Sequence, residues 1–371
     1  MKVVILGAGV AGLGIGWRLC QRGAEVVVVE RGQPGSGATG AAAGMISPTP
    51  DRGGLATPEA IFARLSAELW PGFAHELEAR SDRKIAFRAN GRLVVARTED
   101  EAGGLARLAA NFSGKVALLT PQAAITMEPM LAPNLCGALW DSNESHVDNR
   151  ALCQALAMAF MREGGQLRLN ETAIRFRCDE HRVLGVQTAL ALHEADAFVV
   201  ATGAWSNLIE GLPPGTLPPI IPVKGEMIAL EPAEPDVLPT RSVWGSDAYL
   251  VARAGQLIVG ATVTRDGFDS SLTASARDGL IALAIALMPR LEKWPVVAHW
   301  AGLRPGTPDD LPVLGRTVLE NLFMASGQFR NGILFAPAIA DAMSACVTGE
   351  VSPIDIGAFD PCRFSKSGPD S

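Results

Sequence analysis

The chain is short of the features that mark membrane, secreted, nucleic-acid-binding or metal proteins. Hydrophobic residues make up 48% of its 371 residues, yet no uninterrupted apolar run approaches the ~18 residues that a spanning helix requires. The first apolar strand begins at Lys2, which leaves no room for the charged, apolar and cleavage regions of a leader, so the expected location is cytoplasmic. Net charge is −7 and lysine and arginine nowhere cluster, which argues against nucleic acid as a partner. The six cysteines, Cys20, Cys136, Cys153, Cys178, Cys346 and Cys362, show neither C-x-x-C spacing nor a paired framework, so buried thiols are the better reading. Five scattered histidines without an H-E-x-x-H pair give no basis for a metal site.

What is present begins at once. Lys2 to Leu6 reads as a buried strand that runs into Gly7-Ala8-Gly9-Val10-Ala11-Gly12. A helical stretch, Leu13 to Arg22, stops at Gly23, and a second apolar strand, Glu25 to Val29, ends in Glu30. In such a βαβ unit Gly7 permits the tight turn, Gly9 the approach of a pyrophosphate, and Gly12 close packing of helix on sheet. Val10 and Ala11 supply N–H groups at the helix N-terminus, where an anion binds, and Glu30 accepts hydrogen bonds from ribose hydroxyls. An acid there disfavours a 2′-phosphate, so the reading is a dinucleotide other than NADP.

Beyond Glu30 lies a run of small residues from Arg31 through Ala38, Thr39, Ala42, Ala43 and Gly44 to Met45. Composition leaves two readings open, a flexible loop or a backbone-lined channel for a flavin ring and its ribityl chain. Residues 58 to 79 read as a helix with apolar Ile61, Leu65, Leu69, Phe73 and Leu77, followed by strands near 85 to 96 with a hairpin signal at Asn90-Gly91. Another helix covers about 99 to 110. Asp148 reads as the N-cap of a helix from Ala151 to Met161 rather than as a catalytic acid. The strand Ala197 to Val200 ends in Ala201-Thr202-Gly203-Ala204-Trp205, a glycine turn at the edge where open α/β sheets bind ligands. Strands near 219–231, 248–252 and 257–261 alternate as in an antiparallel sheet, with a helix from about 273 to 288 laid on it. Trp300 to Asp309 suits an ordered loop after an apolar strand, and Gly327 to Ile333 opens a helix running to Val347.

Taken together, Gly7 to Gly12 with Glu30, Ala41 to Met45, Pro222-Val223-Lys224-Gly225-Glu226, Trp300 to Asp309 and Arg330-Asn331-Gly332-Ile333-Leu334 resemble the D-amino-acid oxidase family, closest to its glycine oxidase branch of thiamine biosynthesis. The resemblance covers nearly the whole chain. It implies an α/β fold in which a Rossmann-like domain (1–84, 142–217 and 301–371) that binds FAD non-covalently is interrupted by an antiparallel-sheet substrate domain (85–141 and 218–300). It also implies a homo-oligomer, a tetramer, acting on a small amino acid and oxygen. Among site residues it implies Tyr249 against the substrate, Arg304 on its carboxylate, and Arg330 beside the flavin. Ala173, Gly327, Asn331, Gly332 and Ile333 are implied as further flavin contacts, with a helix starting near Asn331 aimed at the flavin. Gln328 departs from the branch, which has His there. The implied reaction is oxidation of glycine, sarcosine or a small D-amino acid to an imine and 2-oxo acid, with ammonia and hydrogen peroxide released. The alternative is a dehydrogenase of D-amino or 2-hydroxy acids that uses an acceptor other than oxygen.

Overall fold

The computed structural model describes residues 1–49, 54, 56–112 and 116–364. One layer is a six-stranded sheet in the order Val313–Arg316, Leu322–Ser326, Ala197–Val200, Lys2–Leu6, Glu25–Val29, Gln166–Arg168. Lys2–Leu6 is central and parallel to both neighbours, and only Val313–Arg316 pairs antiparallel. A strand covered on both faces has no polar side to show, which is why its sequence is a continuous apolar run. Helices Val10–Gln21, Pro58–Ser81, Asn149–Arg162 and Ala336–Thr348 pack on one face. A three-stranded sheet (Ala173–Cys178, Val183–Thr188, Leu192–His193) covers the other through Phe176, Val183 and Val186.

The second layer is an eight-stranded sheet in the order Val296–Gly306, Ile221–Leu230, Gln256–Gly260, Tyr249–Arg253, Ser242–Trp244, Arg92–Ala96, Gly137–Asp141, Val116–Leu119. Helix Ala274–Leu287 buries Leu280, Ala284 and Leu287 against Ile228, Leu230 and Val259 of this sheet. Its opposite face, carrying Met227, Tyr249 and Trp300, meets Ala43 and Met45. No helix among the described residues is long and apolar enough to cross a membrane. The α/β reading with one mainly parallel sheet and a second, mainly antiparallel sheet therefore holds; in the second, only Ser242–Trp244 and Arg92–Ala96 pair parallel.

Four details differ from the sequence reading. Asn90-Gly91 makes no hairpin: Gly91 has φ +69° and donates its N–H to Glu144 O at 3.0 Å, and Arg92–Ala96 pairs instead with the distant Gly137–Asp141. On helix Pro58–Ser81, Ile61 and Leu65 are exposed, and the buried side is Phe62, Ser66, Trp70, Phe73 and Leu77. Trp300 to Gly306 is strand rather than loop. The last helix starts at Ala336, five residues after Asn331, with no side-chain cap. Asp148 is the expected N-cap, its carboxylate accepting from the N–H groups of Arg150 and Ala151.

The short ribbon Met45–Ile46 with Ser145–His146 leads the chain out of the small-residue run. Burial, and after it the nearby Arg88 guanidinium, lower the His146 imidazole from 6.5 to about 4. The folded protein thus keeps this ring neutral where the unfolded chain would take up a proton, so its contribution is complete above 6.5 and is lost as pH falls through about 4. The urea midpoint should fall across that window, and His146→Gln should make the fall shallower. Identical pH profiles for the two proteins would remove His146 as its source.

Candidate active site

The N-terminal turn is built by close approach. Gly7 has φ +104°, and a Cβ there would lie 2.5 Å from Ala201 O. A Cβ on Gly12 would lie 2.0 Å from Gly7 O. A side chain at Gly12 would push the helix off the strand end, and one at Gly7 would push the turn off the neighbouring Ala201 carbonyl. Gly9 caps helix Val10–Gln21 without a side-chain bond, and Val10 N–H donates to Thr39 Oγ1 at 3.1 Å. The N–H groups of Ala11 and Gly12 have no protein acceptor among the described residues, so this helix end offers donors to an anion. Glu30 is more occupied than the sequence suggested: Oε2 accepts from Ala8 N–H at 2.8 Å and Oε1 from Gly32 N–H at 2.9 Å. Each carboxylate oxygen keeps a second lone pair for a hydroxyl.

Around this turn stand the other residues of the nucleotide end. Arg31 stacks on Trp205, 3.8 Å from the ring centre. Ala201 and Thr202 follow the strand Ala197–Val200, and Gly203 turns with φ +57°. Ala173 opens the covering sheet, two residues past Glu171, whose N–H donates to Glu30 O at 2.9 Å.

The small-residue run then crosses to the antiparallel sheet as an ordered segment. Ala38–Ala41 forms one helical turn, and Gly44 has φ +88°, with its missing Cβ 2.0 Å from Val147 O. Four successive carbonyls are each held by a different side chain. Asn149 Nδ2 donates to Thr39 O at 2.6 Å, Arg150 Nε to Gly40 O at 3.3 Å, Trp300 Nε1 to Ala41 O at 3.0 Å, and Arg253 Nη1 to Ala42 O at 2.8 Å. Sequence reasoning missed Asn149, Arg150 and Arg253 in this role.

On the sheet, the register sets Tyr249, Gly260, Met227 and Trp300 side by side on one face. Three glycines make room there. A Cβ on Gly260 would meet Tyr249 Oη at 2.5 Å, one on Gly225 would meet Arg304 Nη1 at 2.3 Å, and one on Gly302 would meet Ala41 Cβ at 2.4 Å. Isolated glycines inside strands are the signal of such approach. Arg304 Nη1 donates to Thr262 O at 3.2 Å and Lys224 O at 3.4 Å. Phe329 N–H donates to Pro305 O at 2.9 Å, which brings the turn from Gly327 (φ +75°) to Ile333 against the same strand. In that turn Asn331 Nδ2 donates to Glu59 Oε1 at 2.8 Å, Arg330 is exposed beside Phe329, and Ile333 is buried.

Cations predominate in the electrostatics of this face, although the Asp148 carboxylate also acts on Arg253. Burial raises the Tyr249 phenol, and the charges acting against that rise are all cations: Arg304, Arg330 and Arg253. Tyr249 therefore stays protonated and able to donate. Burial lowers Arg304, offset by Tyr249. Arg253 is lowered to about 10, by burial first and then by Arg150. An excess of positive charge acting on this phenol, from half-buried Arg304, buried Arg253 and exposed Arg330, favours an anionic ligand.

The model of the FAD-dependent oxidoreductases of the D-amino-acid oxidase type matches residues 2–345. Glycine oxidase of Pseudomonas putida is 33% identical over 370 residues, spanning 97% of this chain and 98% of its own. The bifunctional protein ThiO/ThiG of Trichormus variabilis is 32% identical over 98% of this chain, which spans 55% of that longer protein. The crystal structure of glycine oxidase from Geobacillus kaustophilus superposes with a TM-score of 0.92 at 33% identity, covering 98% of this chain and 99% of that one. With a family model spanning nearly its whole length and full-length relatives above 30% identity, this chain belongs to the D-amino-acid oxidase family of FAD-dependent oxidoreductases.

Proposed function

We propose that the protein oxidises the amine of a small amino acid, with glycine, sarcosine and small D-amino acids as the substrate class and oxygen as final acceptor. The single observation that carries this reading is Arg304, half-buried over Gly225 and beside Tyr249, on a face where cations predominate. The names of the full-length relatives support the choice of substrate class. Division into a discontinuous FAD domain and a substrate domain, a homo-oligomeric state and a cytoplasmic location belong to the same proposal.

The residues fit FAD. The glycine cradle at Gly7 and Gly12 admits a diphosphate where any side chain would collide with backbone, the Ala11 and Gly12 N–H groups can receive it, and Glu30 has lone pairs free for ribose. Gln328 adds a buried Nε2 with no partner among the described residues, beside the turn expected to contact the flavin. The bound FAD would supply the acceptor for the α-carbon hydride and the route of both electrons to oxygen. The chain's own work is then positioning and desolvation. Arg304 offers parallel N–H donors to the carboxylate, Tyr249 donates its hydroxyl to the same end of the substrate, and Met227, Tyr249 and Trp300 keep bulk water from the α-carbon. No protein base is needed when the amine enters neutral, and the charges acting most strongly on Tyr249 are those of arginines. The regular helix begins at Ala336, but a hydrogen-bonded turn from Asn331, in which Phe335 N–H donates to Asn331 O at 2.8 Å, runs straight into it. Arg330 remains the cation of that turn.

Anaerobic bleaching of the flavin by glycine, sarcosine, D-alanine and D-proline, followed by oxygen uptake in turnover, tests the reading. Glycine or sarcosine should reduce the flavin faster than D-phenylalanine at equal concentration, and peroxide should accumulate. Faster reduction by the bulky amino acid would end the substrate assignment, and turnover without oxygen uptake would end the oxidase assignment. Arg304→Leu should stay yellow and lose about 2 to 5 kcal/mol of transition-state binding, roughly 30-fold to several thousand-fold in kcat/KM. Arg304→Lys should fall between, since a point charge replaces a fork. Near-native kinetics in FAD-loaded Arg304→Leu would take Arg304 out of the site. Glu30→Ala should weaken FAD retention by about 1.5 to 3 kcal/mol through lost charge-assisted bonds, measured by ultrafiltration of the holoenzyme. Unchanged retention would mean that the Ala8 and Gly32 contacts are all that Glu30 does.

A further inference from the structure

Strand Ile221–Leu230 turns Gly225 and Met227 toward Arg304 and Tyr249, so alternation sends Lys224 and Glu226 to the other face of the sheet. The proposed chemistry uses neither, yet both are only 2% exposed. Glu226 Oε2 accepts from Thr273 N–H at 2.9 Å and lies 2.9 Å from His299 Nε2. Its Oε1 accepts from Thr273 Oγ1 at 3.0 Å and lies 3.8 Å from Lys224 Nζ. Lys224 Nζ in turn donates to Ser271 O at 3.1 Å and lies 3.7 Å from Asp269 Oδ2. All of these contacts outside the sheet end on the segment that returns from strand Gln256–Gly260 to helix Ala274–Leu287.

The other end of that segment is tied to the same two residues through their backbone. Glu226 N–H donates to Thr262 Oγ1 at 2.8 Å, and Thr262 N–H donates back to Glu226 O at 3.2 Å. Lys224 and Thr264 exchange N–H···O bonds of 2.9 and 3.0 Å. Between these ties the chain from Arg265 to Leu272 is exposed. Thr262 is also the residue whose carbonyl receives Arg304 Nη1. The guanidinium is therefore aimed by a carbonyl on a solvent-facing segment, and that segment is fixed from behind the sheet.

We propose that Glu226 is a positioning residue for Arg304, holding the 262–273 segment so that the Thr262 carbonyl orients the guanidinium toward a substrate carboxylate. The proposal rests on the reading of Arg304 as the carboxylate anchor. A buried ion pair is poor evidence of stabilisation, since an apolar pair packs as well in its place. What the Glu226 carboxylate adds is direction, because its lone pairs are distributed between Thr273 and His299, one on the returning segment and one on the strand of Arg304 itself.

The test uses the FAD-loaded enzyme and glycolate as a carboxylate probe, with binding read from the flavin absorbance. Glu226→Gln keeps the shape and one acceptor oxygen but gives up the charge. It should weaken glycolate binding and raise KM by about tenfold, the order of coupling within one network, with a much smaller change in kcat. Thr262→Val, which removes only the Oγ1 acceptor, should shift glycolate in the same direction by less, and it keeps the test open should Glu226→Gln lose FAD. Combined with Arg304→Lys, Glu226→Gln should cost less than the product of the two single effects, because both act on one contact. Native glycolate affinity in Glu226→Gln or in Thr262→Val, or full multiplication in the double variant, would overturn the proposal while leaving the anchor reading intact. Native glycolate affinity in Arg304→Lys would instead overturn the anchor reading, and the proposal with it.

Discussion

A backbone carbonyl withdrawn from water needs a donor, and the partly buried segment Thr39 to Ala42 meets that requirement in a way that assembles the site. Its four carbonyls are taken by Asn149, Arg150, Trp300 and Arg253. Asn149 and Arg150 belong to a helix on the parallel sheet, whereas Trp300 and Arg253 belong to strands of the antiparallel sheet. The segment is therefore the seam between the two layers, and the donors on either side set their spacing. Small side chains follow as a consequence. Gly302 leaves space for Ala41, and Gly44 lies against Val147, so larger residues at either place would separate layers that the hydrogen bonds draw together.

This seam explains which parts of the site could be read in advance. The Gly7 to Gly12 turn is local: its glycines, its helix and Glu30 fall within one βαβ unit, so sequence spacing carries the geometry. Asp148 is local too, since a cap acts on the next turn. Arg253 and Asn149 are not, because they stand 211 and 110 residues from Ala42 and Thr39, the residues they hold, and nothing in either neighbourhood names the other. The strand glycines Gly225 and Gly260 carried a signal of close approach, but the group approaching each was set by sheet register.

The misreadings have equally specific causes. Asn90-Gly91 has hairpin chemistry, and Gly91 does adopt a positive φ, but the same conformation also serves a chain that crosses to pair with Gly137–Asp141. On helix Pro58–Ser81 the residues Ile61 and Leu65 continue the period of Leu69, Phe73 and Leu77, whereas the buried face includes Ser66. That serine is buried because its hydroxyl donates to Leu334 O at 2.7 Å, a tertiary bond that hydropathy cannot report. The helix from Ala336 has Phe335 at its N-cap position and no capping side chain, so Pro337 in its first turn was the one start signal available to place it.

The antiparallel sheet uses strand alternation to separate binding from support. On one face of Ile221–Leu230, glycine and methionine leave volume for Arg304 and Tyr249. On the other, Ile228 and Leu230 hold helix Ala274–Leu287 while Lys224 and Glu226 hold the segment leading to it. Arg304 is half-buried, and burial lowers its affinity for the proton while the guanidinium stays charged. Such a guanidinium without a carboxylate partner is costly, and two backbone carbonyls and the Tyr249 hydroxyl meet only part of its five-donor capacity. The remaining donors are the reason a carboxylate gains there: it supplies the charge and both acceptors that the folded chain withholds, and the neighbouring phenol, kept protonated by the same burial, adds a donor rather than a competing anion.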